Sequence, residues 1–210
     1  MHPKAFKVEF LLLAAWLPTS GRDARAPGER TAVPADDLCY FSLMGKIIVG
    51  VMGPGHSANP EALVAGFELG KLIAEAGWVL LTGGRSAGVM DTASQGAKSA
   101  GGLVVGILPT DDAAEVSDSV DVAIVTGLGQ ARNNINVLSS RVIFACGMGP
   151  GTASEIALAI KAKKPVMLLC QSEESAAFFR SLGGELVHLP ANPAEAMAIA
   201  RKMIDGQVTK

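Results

Sequence analysis

The stretch KIIVGVMGPGHSANPEALVAGFELGKLIAEAGWVLLTGG, residues 46–84, holds two continuous apolar runs separated by a segment with helical periodicity. Continuous apolar runs are typical of strands that are covered on both faces. Between the runs, Asn59 is suited to be the N-cap and Pro60 the first residue of a helix that ends at Gly77. The apolar face of this helix comprises Leu69, Leu72, Ile73 and Ala76. A strand, a helix and a second strand in this order predict a parallel pair of strands.

The same alternation continues along the rest of the chain. Further buried strands are predicted for LVVGIL (103–108), VAIVT (122–126), RVIFAC (141–146) and PVMLL (165–169), and a weaker edge strand for ELVHL (185–189). A last helix is predicted with Asn192 as its N-cap, Pro193 next and Gly206 as its end. The pattern predicts an α/β fold, a Rossmann-like three-layer α/β/α sandwich around a mainly parallel sheet of about seven strands.

The first 43 residues differ in composition from the rest of the chain. One apolar run, Phe10–Leu17, is followed by a stretch rich in Pro, Gly, Arg and Asp. The run falls well short of the ~20 apolar residues that span a bilayer. We predict a non-globular leader at 1–43 and a Rossmann-like domain at 44–210. The leader is either dispensable or the result of a wrongly assigned translation start. A secretory signal stays open as an alternative, because two lysines precede the run and Ala24-Arg25-Ala26 resembles a cleavage site.

Composition and charge narrow the choice of partners. The chain has 210 residues, a formal net charge of -2 and a pI near 5.9, without a run of Lys or Arg. The attraction to a phosphate backbone has no evident source, so we expect no nucleic-acid partner. Three cysteines and three histidines are scattered without the spacing of a zinc site or a disulfide framework, so no metal is predicted. We expect a cytoplasmic protein without a membrane partner.

Four glycine-rich loops each join a predicted strand to a predicted helix. They are Gly53–Ser57, Gly83–Gly88, Gly127–Arg132 and Gly147–Thr152. In an open α/β sheet, ligands bind beyond the carboxyl ends of the strands. Glycine there lets backbone N–H groups approach an anion, and the positive dipole end of the next helix points at the same anion. We therefore predict a phosphate pocket, and the alternative is that tight turns need glycine for their geometry alone. The predicted ligand-binding residues are Gly53, Gly55, Ser57, Gly83, Gly84, Gly127, Gly129, Asn133, Gly149, Gly151 and Thr152.

Two charged residues are the candidates for catalysis. Glu155 follows Thr152 in a T-x-x-E pattern, which predicts either a helix capping box or a carboxylate turned toward a ligand. Arg132 opens a helix after a Gly-x-Gly turn, where its planar guanidinium can clamp a phosphate, and the alternative is a solvated surface arginine. Arg85 is a weaker candidate of the same kind. No loop carries the G-x-G-x-x-G or G-x-x-x-x-G-K-[ST] pattern, so ordinary NAD and ATP chemistry is not predicted.

At these loops the sequence resembles the Lonely Guy (LOG) proteins, often labelled lysine decarboxylase-like, in a wider group with the molybdenum-cofactor carrier proteins and the DprA/Smf fold. The stretches Leu81–Met90 and Gly96–Pro109 resemble the first glycine motif of the family. The second motif, P-G-G-x-G-T-x-x-E, corresponds to Gly147–Glu155. Together with Thr126–Asn133, this motif is most similar to the carrier-like branch, and the resemblance covers most of residues 46–170.

The resemblance implies that the chain binds a phosphorylated, nucleotide-like small molecule, either a nucleoside monophosphate or a molybdopterin-type cofactor, at the carboxyl ends of the parallel strands. In the hydrolase branch it implies a nucleoside 5'-monophosphate phosphoribohydrolase, in which Glu155 would act at the ribose and Arg132 would hold the phosphate. Single-stranded DNA binding is a third possibility, which the acidic composition disfavours. The resemblance also implies a homo-oligomer. Whether the protein is a carrier or an enzyme stays open at this point.

Overall fold

The structure of the protein is a computed structural model that describes residues 45–208. The predicted leader at 1–43 lies outside the described residues. The described part belongs to one compact unit and contains seven β-strands and six α-helices. The strands are β1 (Ile48–Met52), β2 (Val79–Thr82), β3 (Val104–Leu108), β4 (Val122–Val125), β5 (Ile143–Cys146), β6 (Val166–Leu169) and β7 (Val187–His188). The helices are α1 (Pro60–Glu75), α2 (Gly88–Ser99), α3 (Asn133–Ser139), α4 (Pro150–Lys161), α5 (Glu173–Gly183) and α6 (Pro193–Val208).

All seven strands form one parallel sheet in the order β4-β3-β2-β1-β5-β6-β7. The predicted Rossmann-like α/β fold is confirmed. The chain builds the sheet outward from β1 to β4 and then returns to place β5 on the other side of β1. The strand order therefore reverses between β1 and β5, and the crevice outside the carboxyl ends of these two strands is where ligands bind in open α/β sheets.

The sheet is buried between two layers of helices. One apolar cluster joins Val49 and Phe144 of the sheet to residues of α1, α2 and α6. A second cluster on the opposite face joins Ile143 and Leu168 to residues of α3, α4 and α5. The strands in the middle of the sheet are fully buried because both of their faces are covered, as their continuous apolar runs predict.

The predicted first residues of α1 and α6 are confirmed. Asn59 caps α1, since its Oδ1 accepts a hydrogen bond of 2.8 Å from the backbone N–H of Ala62. Asn192 caps α6 in the same way and accepts from the N–H of Glu195 at 2.9 Å. The predicted end of α6 at Gly206 is wrong, because the helix continues to Val208. A glycine inside a helix costs only about 1 kcal/mol relative to alanine, which a helix packed on a sheet tolerates.

The prediction of a buried strand at 122–126 is also wrong in one respect. The strand β4 forms, but it lies at the edge of the sheet and all four of its residues are exposed. At the opposite edge, β7 has only two residues and confirms the predicted weak edge strand at 185–189. The apolar composition of Val122–Val125 is the same as that of a central strand, so the sequence pattern could not distinguish the two positions.

Candidate functional site

A polar cavity of about 200 Å³ opens at the crevice between the carboxyl ends of β1 and β5. Loops from both halves of the sheet contribute to it, and α4 begins at its wall. It is lined by Met52, Gly53, Pro54, Gly55, Ser57, Gly83, Arg85, Met90, Pro109, Gln130, Arg132, Asn133, Gly149, Pro150, Gly151, Thr152 and Glu155. We call this cavity the switch-point pocket.

Most of the residues that the sequence predicts for the site line the switch-point pocket. These are Arg132, Glu155, Gly53, Gly55, Ser57, Gly83, Asn133, Gly149, Gly151 and Thr152. Residues from four separate loops thus meet at one place, although almost 100 positions separate Gly53 from Gly151 in the sequence. The sheet order explains this convergence, because β1 and β5 are neighbours in space.

Three predicted ligand-binding glycines lie away from the pocket lining. Gly84 has a positive φ of 74° and packs on Gly106 of β3, while its N–H donates to Oγ1 of Thr82. The N–H groups of Gly127 and Gly129 donate to the carbonyl oxygens of Thr110 and Pro109 at 2.8 Å each. Their amides are therefore already bonded within the protein, which agrees with the alternative that tight turns need glycine for their geometry.

Arg132 lies at the floor of the switch-point pocket. It is the last residue of a short 3-10 turn, Gly129–Arg132, that leads into α3. Only 7% of the residue is exposed, which contradicts the alternative of a solvated surface arginine. Its guanidinium lies against the backbone of Gly83, and its Nε has no hydrogen-bond partner among the described residues. A buried donor without a partner is costly, so the protein alone does not satisfy this guanidinium.

Burial and the neighbouring charges both act on this guanidinium. Burial lowers the pKa of Arg132, the carboxylate of Glu155 raises it, and the positive charge of Arg85 lowers it again. The nearest oxygen of Glu155 is 3.7 Å from Nη1, which is longer than a charge-assisted hydrogen bond. Arg132 therefore keeps donors that Glu155 does not satisfy.

Glu155 faces the pocket from the second turn of α4. The capping-box interpretation of Thr152 and Glu155 is wrong, because α4 begins at Pro150 with Gly149 as its N-cap, and Thr152 already lies inside the first turn. The carboxylate instead accepts a hydrogen bond of 2.8 Å from Nδ2 of Asn136. Burial raises the pKa of Glu155 to about 6, although the bond from Asn136 and the charge of Arg132 oppose this shift.

The first turn of α4 supplies backbone donors to the pocket wall. The first hydrogen bond of the helix runs from the N–H of Ala153 to the carbonyl of Gly149 at 2.8 Å. The N–H groups of Gly151 and Thr152 precede that bond, and such amides at a helix start attract anions. Oγ1 of Thr152 is buried and has no partner among residues 45–208. Pro150 contributes no N–H, so this wall offers two amides and one hydroxyl.

The structure adds importance to two residues, one in the pocket lining and one behind Glu155. Arg85 was a weak candidate, yet it lines the pocket and lies close to Gly55. Asn136 was not predicted, although it positions Glu155. Asn136 follows Arg132 by four residues, across the junction of the 3-10 turn and α3, and this spacing is the sequence signal that could have revealed it.

Two other site types find no support within the part of the chain that the structure describes. No group of three or more His, Cys, Asp or Glu side chains is placed to hold a metal ion there. Across residues 45–208, no helix has the length and apolar character needed to cross a bilayer. A second groove of about 390 Å³, between the first turns of α1 and α6, is mainly apolar, and its charged lining residues are Glu61 and Glu68. It therefore does not suit an anion.

A parallel sheet with a cationic, amide-lined pocket at its switch point defines a Rossmann-like α/β protein with a candidate ligand site at that point. The chain belongs to the SLOG cluster4 family, whose family model matches residues 46–197. The resemblance to the LOG and carrier-protein group that the sequence motifs predicted is thereby confirmed.

Solved structures and a sequence relative agree with this assignment. The molybdenum cofactor binding protein from the phototrophic bacterium Rippkaea orientalis is 54% identical, with a TM-score of 0.75 over 77% of this chain and 99% of that chain. The Moco carrier protein from Chlamydomonas reinhardtii is 56% identical, with a TM-score of 0.73 over the same shares of the two chains. An uncharacterized protein of Archaeoglobus fulgidus is 46% identical over 121 residues, which are 58% of this chain and 78% of that protein.

Proposed function

We propose that this protein binds a phosphorylated, molybdopterin-type cofactor in the switch-point pocket. Two of its similar structures are proteins named for binding or carrying the molybdenum cofactor, and each is more than half identical to this chain. The observation that carries the proposal is Arg132, a buried arginine with an unpartnered Nε that lines the same pocket as the first amides of α4.

The donors of the pocket fit the phosphate end of such a cofactor. Arg132 offers a planar fork of N–H groups, and Gly151 and Thr152 offer backbone amides at a helix start. The unpartnered hydroxyl of Thr152 adds a third kind of donor. Together these groups bind an oxyanion from several directions, whereas an uncharged ligand would leave the guanidinium unpaired.

Two glycines of the pocket lining leave no room for a side chain of their own. An added Cβ at Gly53 would meet Val89 and the carbonyl of Cys146, and one at Gly83 would meet Arg132 and Met90. Glycine at these positions lets the loop after β1 pack against Val89 and leaves the side chains of Arg132 and Met90 in place at the pocket lining. Gln130 lines the same pocket, and its amide can both donate to and accept from a heterocycle such as a pterin.

Binding can be tested with the full chain and cofactor released from a donor molybdoenzyme under anaerobic conditions. After gel filtration, the bound pterin is quantified by fluorescence once it has been oxidised. We expect the wild type and Arg141→Ala to retain the pterin and Arg132→Ala to lose it. Arg141 is a suitable control, since it is exposed and precedes β5 at the opposite end of the strand. Equal retention by Arg132→Ala would contradict the proposed role of the pocket.

A second candidate function rests on Glu155. A buried carboxyl with a pKa near 6 beside a phosphate-binding arginine is an arrangement that can stabilise positive charge on a ribose during cleavage of an N-glycosidic bond. The resemblance to the LOG hydrolases implies this chemistry for nucleoside 5'-monophosphates. Incubation with a panel of monophosphates, followed by chromatography of free base, tests it. Base release that Glu155→Gln abolishes would favour the hydrolase over the carrier.

A further inference from the structure

We infer that the switch-point pocket accepts a diphosphate group: one phosphoryl group binds at Arg132 and the start of α4, and the second binds at Arg85. The inference rests on the proposed function, since it concerns the same pocket, and it adds the class of ligand. A molecule with two linked phosphoryl groups, such as a nucleotide-extended cofactor, is then preferred over one with a single phosphate.

The first support is the position of Arg85. It lies two residues after Gly83, against whose backbone the guanidinium of Arg132 is packed. Its own guanidinium lies on the other side of the pocket, with Nη2 only 3.2 Å from where a Cβ of Gly55 would stand. Both arginines therefore face one cavity, and each lies over a glycine of its lining.

The backbone around Arg85 is held in place. Arg85 forms an isolated antiparallel bridge with Val116, and the N–H of Ser86 donates to the carbonyl of Glu115 at 2.8 Å. These contacts tie the loop after β2 to the segment between β3 and β4. A side chain that starts from a fixed backbone loses less conformational freedom when it binds a ligand.

The second support is the charge balance of the pocket. Nη1 of Arg85 is 3.8 Å from Oε2 of Glu115, whose side chain is 65% exposed, so this pair is weak. The Nε of Arg85 is buried and has no partner within residues 45–208, as is also the case for Arg132. Glu155 is the one carboxylate among the lining residues, and it lies beside Arg132. Arg132 thus faces one buried carboxylate and Arg85 an exposed one, and each guanidinium has a donor left over.

Like charges that face one small cavity repel each other unless anions lie between them. A single phosphate neutralises the end of the pocket at Arg132 and leaves Arg85 with its weak, exposed partner. A diphosphate carries its second group to Arg85 and supplies acceptors for the guanidinium groups of both arginines. The geometry therefore favours two linked phosphoryl groups.

Isothermal titration of the full chain with inorganic phosphate and with pyrophosphate tests this inference. We expect the wild type to bind pyrophosphate about tenfold or more tightly than phosphate, which is the effect of one further charge-assisted contact. Arg85→Gln should lose that preference because its affinity for pyrophosphate falls far more than its affinity for phosphate, and Arg85→Lys should keep part of it. The matched control Arg141→Gln should behave as the wild type.

The outcomes separate this inference from the proposed function. Phosphate binding that remains in Arg85→Gln shows that the pocket of the variant is folded. If Arg85→Gln keeps the full preference for pyrophosphate, or if it loses phosphate binding as well, the assignment of the second phosphoryl group to Arg85 is wrong while the pocket at Arg132 stands. If the wild type binds neither anion, the proposed function fails, and the inference fails with it.

Discussion

Substitution of Gly83 by alanine is expected to abolish tight phosphate binding without unfolding the protein. An alanine Cβ at this position would stand 2.6 Å from Nη2 and 2.7 Å from Nη1 of Arg132, and 2.5 Å from Sδ of Met90. Since unstrained contacts between heavy atoms need roughly 3.5 Å, the guanidinium must move by about 1 Å. A displacement of that size breaks the alignment of a bidentate contact with an oxyanion.

The magnitude follows from the contact that is lost. A hydrogen bond to a charged group contributes about 1.5–3 kcal/mol, so the dissociation constant of a phosphorylated ligand should rise by roughly 10- to 100-fold. The cost to folding is limited, because the atoms in the way belong to the ends of flexible side chains and the φ of Gly83 lies outside the left-handed region. We expect a loss of about 1–3 kcal/mol in the free energy of unfolding.

A double-mutant cycle measures whether the substitution acts through Arg132. Titration calorimetry with inorganic phosphate is carried out on the wild type, Gly83→Ala, Arg132→Ala and the double variant, with urea unfolding as the stability readout. We expect the double variant to bind no more weakly than Arg132→Ala alone, because the two changes remove the same contact. Additive losses, or wild-type affinity in Gly83→Ala, would refute the reasoning. Gly206→Ala is the matched control, since an added Cβ there meets no atom within 4 Å.

Three further results are expected. Between pH 4.5 and pH 7, urea titrations should show the free energy of unfolding of the wild type falling by about 2 kcal/mol relative to that of Glu155→Gln. The pKa of Glu155 is raised to about 6 in the folded state, so the stability that its protonated form contributes is lost as the pH rises through that value. Parallel profiles of the two proteins would contradict this. Burial raises the pKa of Cys146, so this thiol should resist a thiol reagent until the protein unfolds. Mass spectrometry of labelled peptides measures this, and rapid labelling would show that β5 opens. Asn136→Ala should shift the pKa of Glu155 upward, detected as a higher midpoint in the same pH series, since the bond from Asn136 lowers it.

The loops that form the candidate pocket could be predicted, because ligand-binding loops follow the carboxyl ends of parallel strands. Glycines after strands mark the corners at which anions bind, and Gly53, Gly83 and Gly149 all line the pocket. The strand order could not be derived from the same pattern, because the apolar runs do not record which strands are neighbours. The adjacency of β1 and β5, which brings the start of α4 to the loop after β1, is a tertiary property.

The glycines that lie away from the pocket show the limit of this argument. Gly127 and Gly129 both have a positive φ, which alone accounts for glycine at these positions, and their N–H groups bond to the segment after β3. A turn that binds an anion and a turn that bonds to its own protein need the same residue type. Sequence therefore predicts where such turns occur but not what accepts their hydrogen bonds.

The role of Glu155 depended on where its helix begins. The T-x-x-E pattern predicts a capping box only if Thr152 is the N-cap, and the N-cap is instead Gly149, three residues earlier. That shift places Glu155 in the second turn, within hydrogen-bond distance of Asn136 on α3. Helix boundaries are the least certain part of an assignment from sequence, and here three residues separate a capping role from a pocket role.

The central claim, that a phosphate group anchors the ligand in the switch-point pocket, can be tested directly with one ligand in two forms. The fluorescent oxidation product of the cofactor is titrated into the protein before and after phosphatase treatment, and binding is followed by fluorescence anisotropy. Loss of the phosphate removes the contacts with Arg132 and the α4 amides, so the affinity is predicted to fall about 100-fold or more. Equal affinity of the two forms would contradict the claim.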